Sequence, residues 1–184
     1  WGQDNYLQSS TPTSSAVSSL SMGDTVGCAM DSSGLVQCWG NTTSEVADPP
    51  NSALIDFDIS TDHGCAVDAT YNVTCWGDNT YGQINPPESV FSSISLGAYH
   101  GCGILEDGMI SCWGDNFYEQ SEPPSTPAIQ QLALGETHSC ALGENGWMGC
   151  WGNNNLNQNN YSGFDGLPLR IDAGGNFSCI LVDP

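Results

Sequence analysis

The tripeptide Cys-Trp-Gly stands at residues 38–40, 75–77, 112–114 and 150–152, so one unit recurs every 37 or 38 residues. A second cysteine precedes each copy by ten residues: Cys28, Cys65, Cys102 and Cys140 come before Cys38, Cys75, Cys112 and Cys150. Trp1-Gly2 lies 38 residues before Trp39 and forms a fifth copy without its cysteine. Pro-Pro recurs in phase at 49–50, 86–87 and 123–124, and Asn/Asp-rich segments such as Asp78-Asn79 and Asp115-Asn116 follow Trp-Gly. A unit this short cannot bury its own apolar face. It must stack on its neighbours, which makes the chain a repeat array.

The ten-residue cysteine spacing has a geometric meaning. In an antiparallel hairpin the numbers of opposed residues sum to a constant, and each pair centres on a turn-forming segment. These are Asp31-Ser32-Ser33-Gly34, Asp68 to Asn72, Glu106-Asp107-Gly108 and Asn145-Gly146. Cross-strand placement brings the paired cysteines within disulfide reach. The expected bridges are Cys28–Cys38, Cys65–Cys75, Cys102–Cys112 and Cys140–Cys150. The competing reading packs them as small apolar thiols; a zinc knuckle would need a much shorter spacing.

Before each first cysteine runs an alternating segment, as in Leu54-Ile55-Asp56-Phe57-Asp58-Ile59 and Phe91-Ser92-Ser93-Ile94-Ser95-Leu96. Helical periodicity is absent. The fold expected is all-β: a β-propeller-type array of about five 37-residue repeats, each a small antiparallel blade with an internal hairpin disulfide. The units run approximately over residues 17–53, 54–90, 91–128 and 129–168, with a split unit made of 169–184 plus 1–16. The whole forms one repeat domain.

These units resemble the regulator-of-chromosome-condensation repeat. The resemblance is carried by His63-Gly64-Cys65-Ala66-Val67 through Cys75-Trp76-Gly77-Asp78-Asn79-Thr80-Tyr81-Gly82-Gln83, and again by Leu134-Gly135-Glu136-Thr137-His138-Ser139-Cys140-Ala141-Leu142. The cysteine-tied form is similar to secreted members such as the Crinkly-type receptor ectodomains. The resemblance implies a propeller used for protein recognition. Tyr-Gly-Gln persists only at 81–83 and becomes Tyr118-Glu119-Gln120 and Leu156-Asn157-Gln158 in later units.

Composition narrows the function. There are 21 Asp and Glu against one Lys or Arg, for a formal net charge of −20. Such a chain cannot neutralise phosphates, so nucleic acid is excluded as a partner and an anionic membrane surface is disfavoured. With 39 % hydrophobic and only 12 % charged residues, the acidity is not that of a disordered chain. No apolar run is long enough to insert in a membrane. Nine cysteines point to an oxidising, extracellular or cell-surface location.

No nucleophile elbow, phosphate loop or zinc-protease motif occurs, so no catalytic residue, metal or cofactor is assigned and the chain is read as no enzyme. His63, His100 and His138 are one repeat position seen three times. Val26 and Phe177 fill the slot elsewhere, so packing or a hydrogen bond within the blade is expected. The tryptophans 39, 76, 113 and 151 are expected in the core between blades. Asp78 and Asp115, with Asn79 and Asn116, leave calcium open as an alternative. Sequons place covalent glycans at Asn41, Asn72, Asn160 and Asn176. Trp147, outside the repeat register, and Phe117 with Tyr118 are the candidate partner contacts.

Cys179 is left without a partner, because its mate would fall beyond Pro184. Three explanations stand: the two ends meet to close a ring, the chain is an excerpt of a longer propeller, or copies continue end to end. The second and third are favoured. The function expected is non-catalytic extracellular protein recognition. The alternative is a structural subunit of a glycoprotein fibre, binding copies of itself.

Overall fold

The computed structural model describes residues 4–7, 9, 16–41, 43–160 and 166–183. Among them are fourteen strands in five small antiparallel sheets. The first sheet holds β1 (Val17–Met22), β2 (Val26–Asp31) and β3 (Val36–Gly40). The second holds β4 (Leu54–Ile59), β5 (His63–Asp68) and β6 (Val73–Gly77). The third is built of β7 (Phe91–Leu96), β8 (His100–Leu105) and β9 (Ile110–Gly114). The fourth has β10 (Ile129–Leu134), β11 (His138–Gly143) and β12 (Met148–Gly152). The fifth has only β13 (Pro168–Gly174) and β14 (Phe177–Val182) among the described residues. Trp1 to Gln3, which the repeat arithmetic assigns to this last unit, lie outside them.

Each sheet is a meander in chain order, and the first strands β4, β7, β10 and β13 lie successively against one another. The sheets therefore stand as propeller blades, with their first strands along the axis. All five first strands carry a bulge at one repeat position, between Val17 and Ser19, Leu54 and Asp56, Phe91 and Ser93, Ile129 and Gln131, and Pro168 and Arg170. This refines the simple alternation expected from sequence. One extra residue shifts the phase, so Leu54 joins Phe57 and Ile59 among the buried residues while Ile55 is left outside.

The core lies between blades. Cys65 and Val67 of the second sheet pack on Phe91, Ile94 and Leu96 of the third. Cys28 and Met30 meet Leu54, Phe57 and Ile59 in the same way, and Cys102 and Ile104 meet Ile129 and Leu134. Blades thus gain most of their apolar burial from the next blade, as stacking repeats must. Within each complete sheet the opposed cysteines Cys28↔Cys38, Cys65↔Cys75, Cys102↔Cys112 and Cys140↔Cys150 are disulfide-linked, with Cα atoms 4.0 Å apart. Cys179 is free and exposed.

First strands have one unpaired edge, a liability that side chains of the preceding blade answer here. Asp56 accepts the Ile94 N–H at 2.9 Å, and Asp58 accepts that of Leu96 at 2.8 Å. Ser21 accepts from Ile59 at 3.0 Å while donating to Asp58 at 2.6 Å. Gln131 grips Ile171 through both its carboxamide atoms. Burial pushes the Asp58 carboxyl up to about 6, opposed by these hydrogen bonds, and raises Asp56 as well.

Candidate recognition surface

Each loop after Trp-Gly opens with a glycine in the left-handed region: Gly77 at φ +96°, Gly114 and Gly152 at +91°. At Gly77 and Gly114 an added Cβ would run into the backbone of the neighbouring turn, so the chain here needs glycine. A buried glutamine then folds the loop back. Gln83 accepts the Tyr81 N–H and donates to Asp78, each at 2.8 Å; Gln120 accepts from Tyr118 at 2.8 Å and donates to Asp115 at 2.7 Å. Gln158 accepts from Leu156 at 2.9 Å, but Asn153 replaces the aspartate and the Gln158 amide has no partner. Asp78 and Asp115 are therefore engaged by donors of their own loop. Among the described residues no group of His, Cys, Asp or Glu is close enough to hold a metal ion.

The same glutamines lock one blade to the next. The Gln83 carbonyl accepts the Trp113 indole N–H, and the Gln120 carbonyl accepts both the Trp151 indole and the Ser139 hydroxyl, all at 2.9 Å. Val46 serves Trp76 in the same manner. Ser139 also meets His100 Nε2 at 2.8 Å. Since the serine hydrogen goes to the Gln120 carbonyl, His100 donates and Nε2 carries the proton. His138, Ser178 and the Gln158 carbonyl repeat the relay. The bonds of His100 and His138 therefore run between blades, where packing or a bond within the blade was expected. The acceptor sits on the next sheet because that is where serine follows the first-strand turn. Opposite His63 this position is Gly101, and neither His63 nitrogen has a partner.

All three histidines are buried and neutral. Desolvation pulls His63 down to about 4 and His100 to about 3, and also lowers His138. Their burial assigns them to architecture.

What the loop lock leaves outside is the surface of interest. Tyr81, Tyr118 and Leu156 occupy one repeat position, two residues before each buried glutamine, and all three are exposed. Tyr6 holds the corresponding place in the first loop and is exposed too. Phe117, 82 % exposed, packs edge-on against Tyr118 with centroids 4.9 Å apart. Tyr81 meets Tyr99 of the next blade at 5.2 Å. These loops join the first-strand turns, as the bonds from Asp78 to Asp62 and from Asp115 to Tyr99 show. One face of the array, the loop face, thus collects most of the exposed aromatics, with Tyr71 exposed on a hairpin turn instead. The hairpin turns form the opposite face.

Trp147 does not share that surface. It is half-buried against the core cluster that Cys102 and Ile104 share with Ile129, Leu134, Ala141 and Trp151, its ring against Gly149, at the opposite, hairpin end of the blade. A hairpin-tip position in sequence does not reveal that packing. The Asn72 and Asn160 side chains are exposed, and Asn41 is half-buried in a turn with Thr43. Asn176 is exposed between β13 and β14, but its sequon serine, Ser178, is taken up in the His138 relay. The Asn160 sequon continues into Tyr161 and Ser162, outside the described residues.

The role of Gln83, Gln120 and Gln158 was the element that motif reading missed. Its signal was present: glutamine persists through the last three loops while Tyr and Gly around it vary, although Val46 holds the position in the loop after Trp39.

No curated protein matches the chain by sequence. Among solved structures, the entire ectodomain of the receptor kinase CR4 from Physcomitrella patens superposes with a TM-score of 0.81 at 28 % identity, over 99 % of this chain and 52 % of that one. The CRINKLY ectodomain of Arabidopsis thaliana ACR4 gives 0.70 at 25 % identity, over 90 % and 59 %. Prp20p from Saccharomyces cerevisiae shares the fold, with 0.78 at 18 % identity over 92 % and 56 %. The chain thus spans little more than half the length of each. Among the described residues no helix is long and apolar enough to cross a membrane. Residues 55–83 and 91–120 match the Regulator of chromosome condensation (RCC1) repeat, and the chain has the fold of RCC1-like propellers.

Proposed function

We propose that the chain is a non-catalytic, extracellular protein-recognition module that engages its partner through the loop face. The observation that carries this is the recurrence of Tyr6, Tyr81, Tyr118 and Leu156 at one repeat position, each exposed, with Phe117 beside them. Exposed aromatics clustered on one face are what a protein interface needs and what solubility alone disfavours. The four disulfides and the likeness to receptor-kinase ectodomains support an extracellular setting. Glycans at Asn41, Asn72 and Asn160 belong to the same reading, because those side chains reach solvent. One at Asn176 would stand close to the relay of Ser178.

Selection of a random peptide library on the immobilised protein tests the proposal. The binders are expected to lose at least tenfold in affinity on Tyr81→Ala, Phe117→Ala, Tyr118→Ala, a cost of about 1.4 kcal/mol or more. They should be unaffected by Leu35→Ser with Met109→Ser on the hairpin face. Binders indifferent to the aromatic substitutions would overturn it.

A second reading, a structural subunit stacking on copies of itself, is favoured by the outermost sheets. Leu20 and Met22 are exposed where their equivalents Phe57 and Ile59 are buried, and Leu181 is exposed where Val67 is buried. These are complementary surfaces in every blade contact within the chain. Particle size over a range of concentrations separates the two readings.

A further inference from the structure

We infer that the loop face takes a cationic segment of its partner, rich in lysine or arginine, with one basic side chain seated over Tyr99 at the mouth of the axial cavity. This rests on the recognition reading and specifies the partner's chemistry. The cavity, 420 Å³, is bounded by the ends of the first strands and the turns after them. Asp24, Tyr99 and Glu136 lie on its rim, contributed by three different blades, and Asp62 flanks it next to Thr61. Tyr81 leans on Tyr99 from the preceding loop, so ring faces and carboxylates occur together at the mouth.

Among the described residues no lysine or arginine answers these carboxylates. Arg170 is the chain's one Lys or Arg, and it lies on β13 within the blade, away from this rim. Burial and the charges of Glu136, Asp62 and Asp24 raise the Tyr99 phenol. Asp62 is raised by desolvation first, then by Asp78 and Asp24. The acids thus repel one another across the rim, and a cation would relieve that repulsion.

The spacing of the groups selects the occupant. A point ion needs several ligands on one centre, and among the described residues no such cluster of His, Cys, Asp or Glu exists. Carboxylates distributed over three blades, interleaved with tyrosine rings, suit a chain carrying several separated positive charges. Lysine and arginine bind both partners available here, the carboxylate by charge and the ring by cation–π attraction.

The test uses three defined peptides of equal length, one rich in arginine, lysine and leucine, one rich in glutamate and one neutral. Titration calorimetry at physiological ionic strength reads their binding. The cationic peptide is expected to bind with defined stoichiometry. Asp24→Asn with Asp62→Asn and Glu136→Gln should weaken it at least tenfold. Glu106→Gln with Glu144→Gln and Asp183→Asn, removing equal charge from the hairpin side, should change it less than twofold. Equal losses in both triple variants would show diffuse attraction to an acidic protein and overturn the inference, as would no binding of the cationic peptide. Should the neutral peptide bind best and depend on Phe117 and Tyr118, the charge inference falls while the recognition reading stands.

Discussion

Reduction of the four hairpin disulfides is expected to unfold the protein at room temperature. Each closes a loop with a sequence separation of 10. On the chain-entropy account a loop of this size is worth just under about 3 kcal/mol, and four together about 10 kcal/mol. Net stabilities of domains run to about 5–15 kcal/mol, so the loss consumes most or all of the reserve. The structure adds a local reason. β3, β6, β9 and β12 are edge strands paired to one neighbour only, and the cystines fasten them there. The tryptophans of β6, β9 and β12 also donate the indole bonds that join blade to blade. Tryptophan fluorescence and circular dichroism during thiol titration follow the transition. A reduced chain that keeps a cooperative urea transition within about 2 kcal/mol of the oxidised one would contradict this account.

Stability is also expected to fall as the solution is acidified from neutral. His63 and His100, held at about 4 and about 3, together with the lowered His138, stay neutral in the fold while the unfolded chain takes up protons below its ordinary histidine value. Their contribution is complete above about pH 6.5 and shrinks by about 1.4 kcal/mol per histidine per pH unit on the way down. Asp58 works in the opposite direction. Its folded value of about 6 lies above that of the unfolded chain, so the fold gains from it on acidification between these values. Asp56 acts in the same sense. His63 and His100 together outweigh Asp58, whose window is narrower, so the net effect of acidification is a loss of stability. Urea midpoints against pH measure it. His63→Val, filling the slot as Val26 does in the first blade, should flatten the profile by one histidine's share. A protein that grows steadily more stable from pH 7 to 4.5 would show that the buried carboxylates prevail.

How much of this could be read from residues alone follows from what each residue contacts. The blade and its cystine were legible because opposed residues in a hairpin are fixed by numbering, so Cys65 and Cys75 report each other. The tryptophans were legible as blade-to-blade core by their phase. The histidine relay was not. His100 and Ser139 are 39 residues apart, and only the stacking of blades reveals that one donates to the other. The bulge in each first strand was hidden as well, since a single added residue leaves alternation looking intact on either side of it.

The acidic excess also divides in a way composition cannot show. Asp56 and Asp58 satisfy backbone edges, Asp78 and Asp115 hold loops closed, and the carboxylates of Asp24, Asp62 and Glu136 on the loop face make no hydrogen bond among the described residues. Trp147 teaches the complementary lesson: its place at a hairpin tip in sequence does not show that the ring is half-buried against the core between the third and fourth sheets.

The central claim is that recognition occurs on the loop face, and hydrogen exchange on the chain saturated with a library-selected binder tests it most directly. Protection is predicted at residues 78–83, 98–99 and 115–120, with the hairpin turns at 31–35 and 106–109 exchanging as in the free protein. Protection confined to those turns, or to β1 and β14, would contradict it.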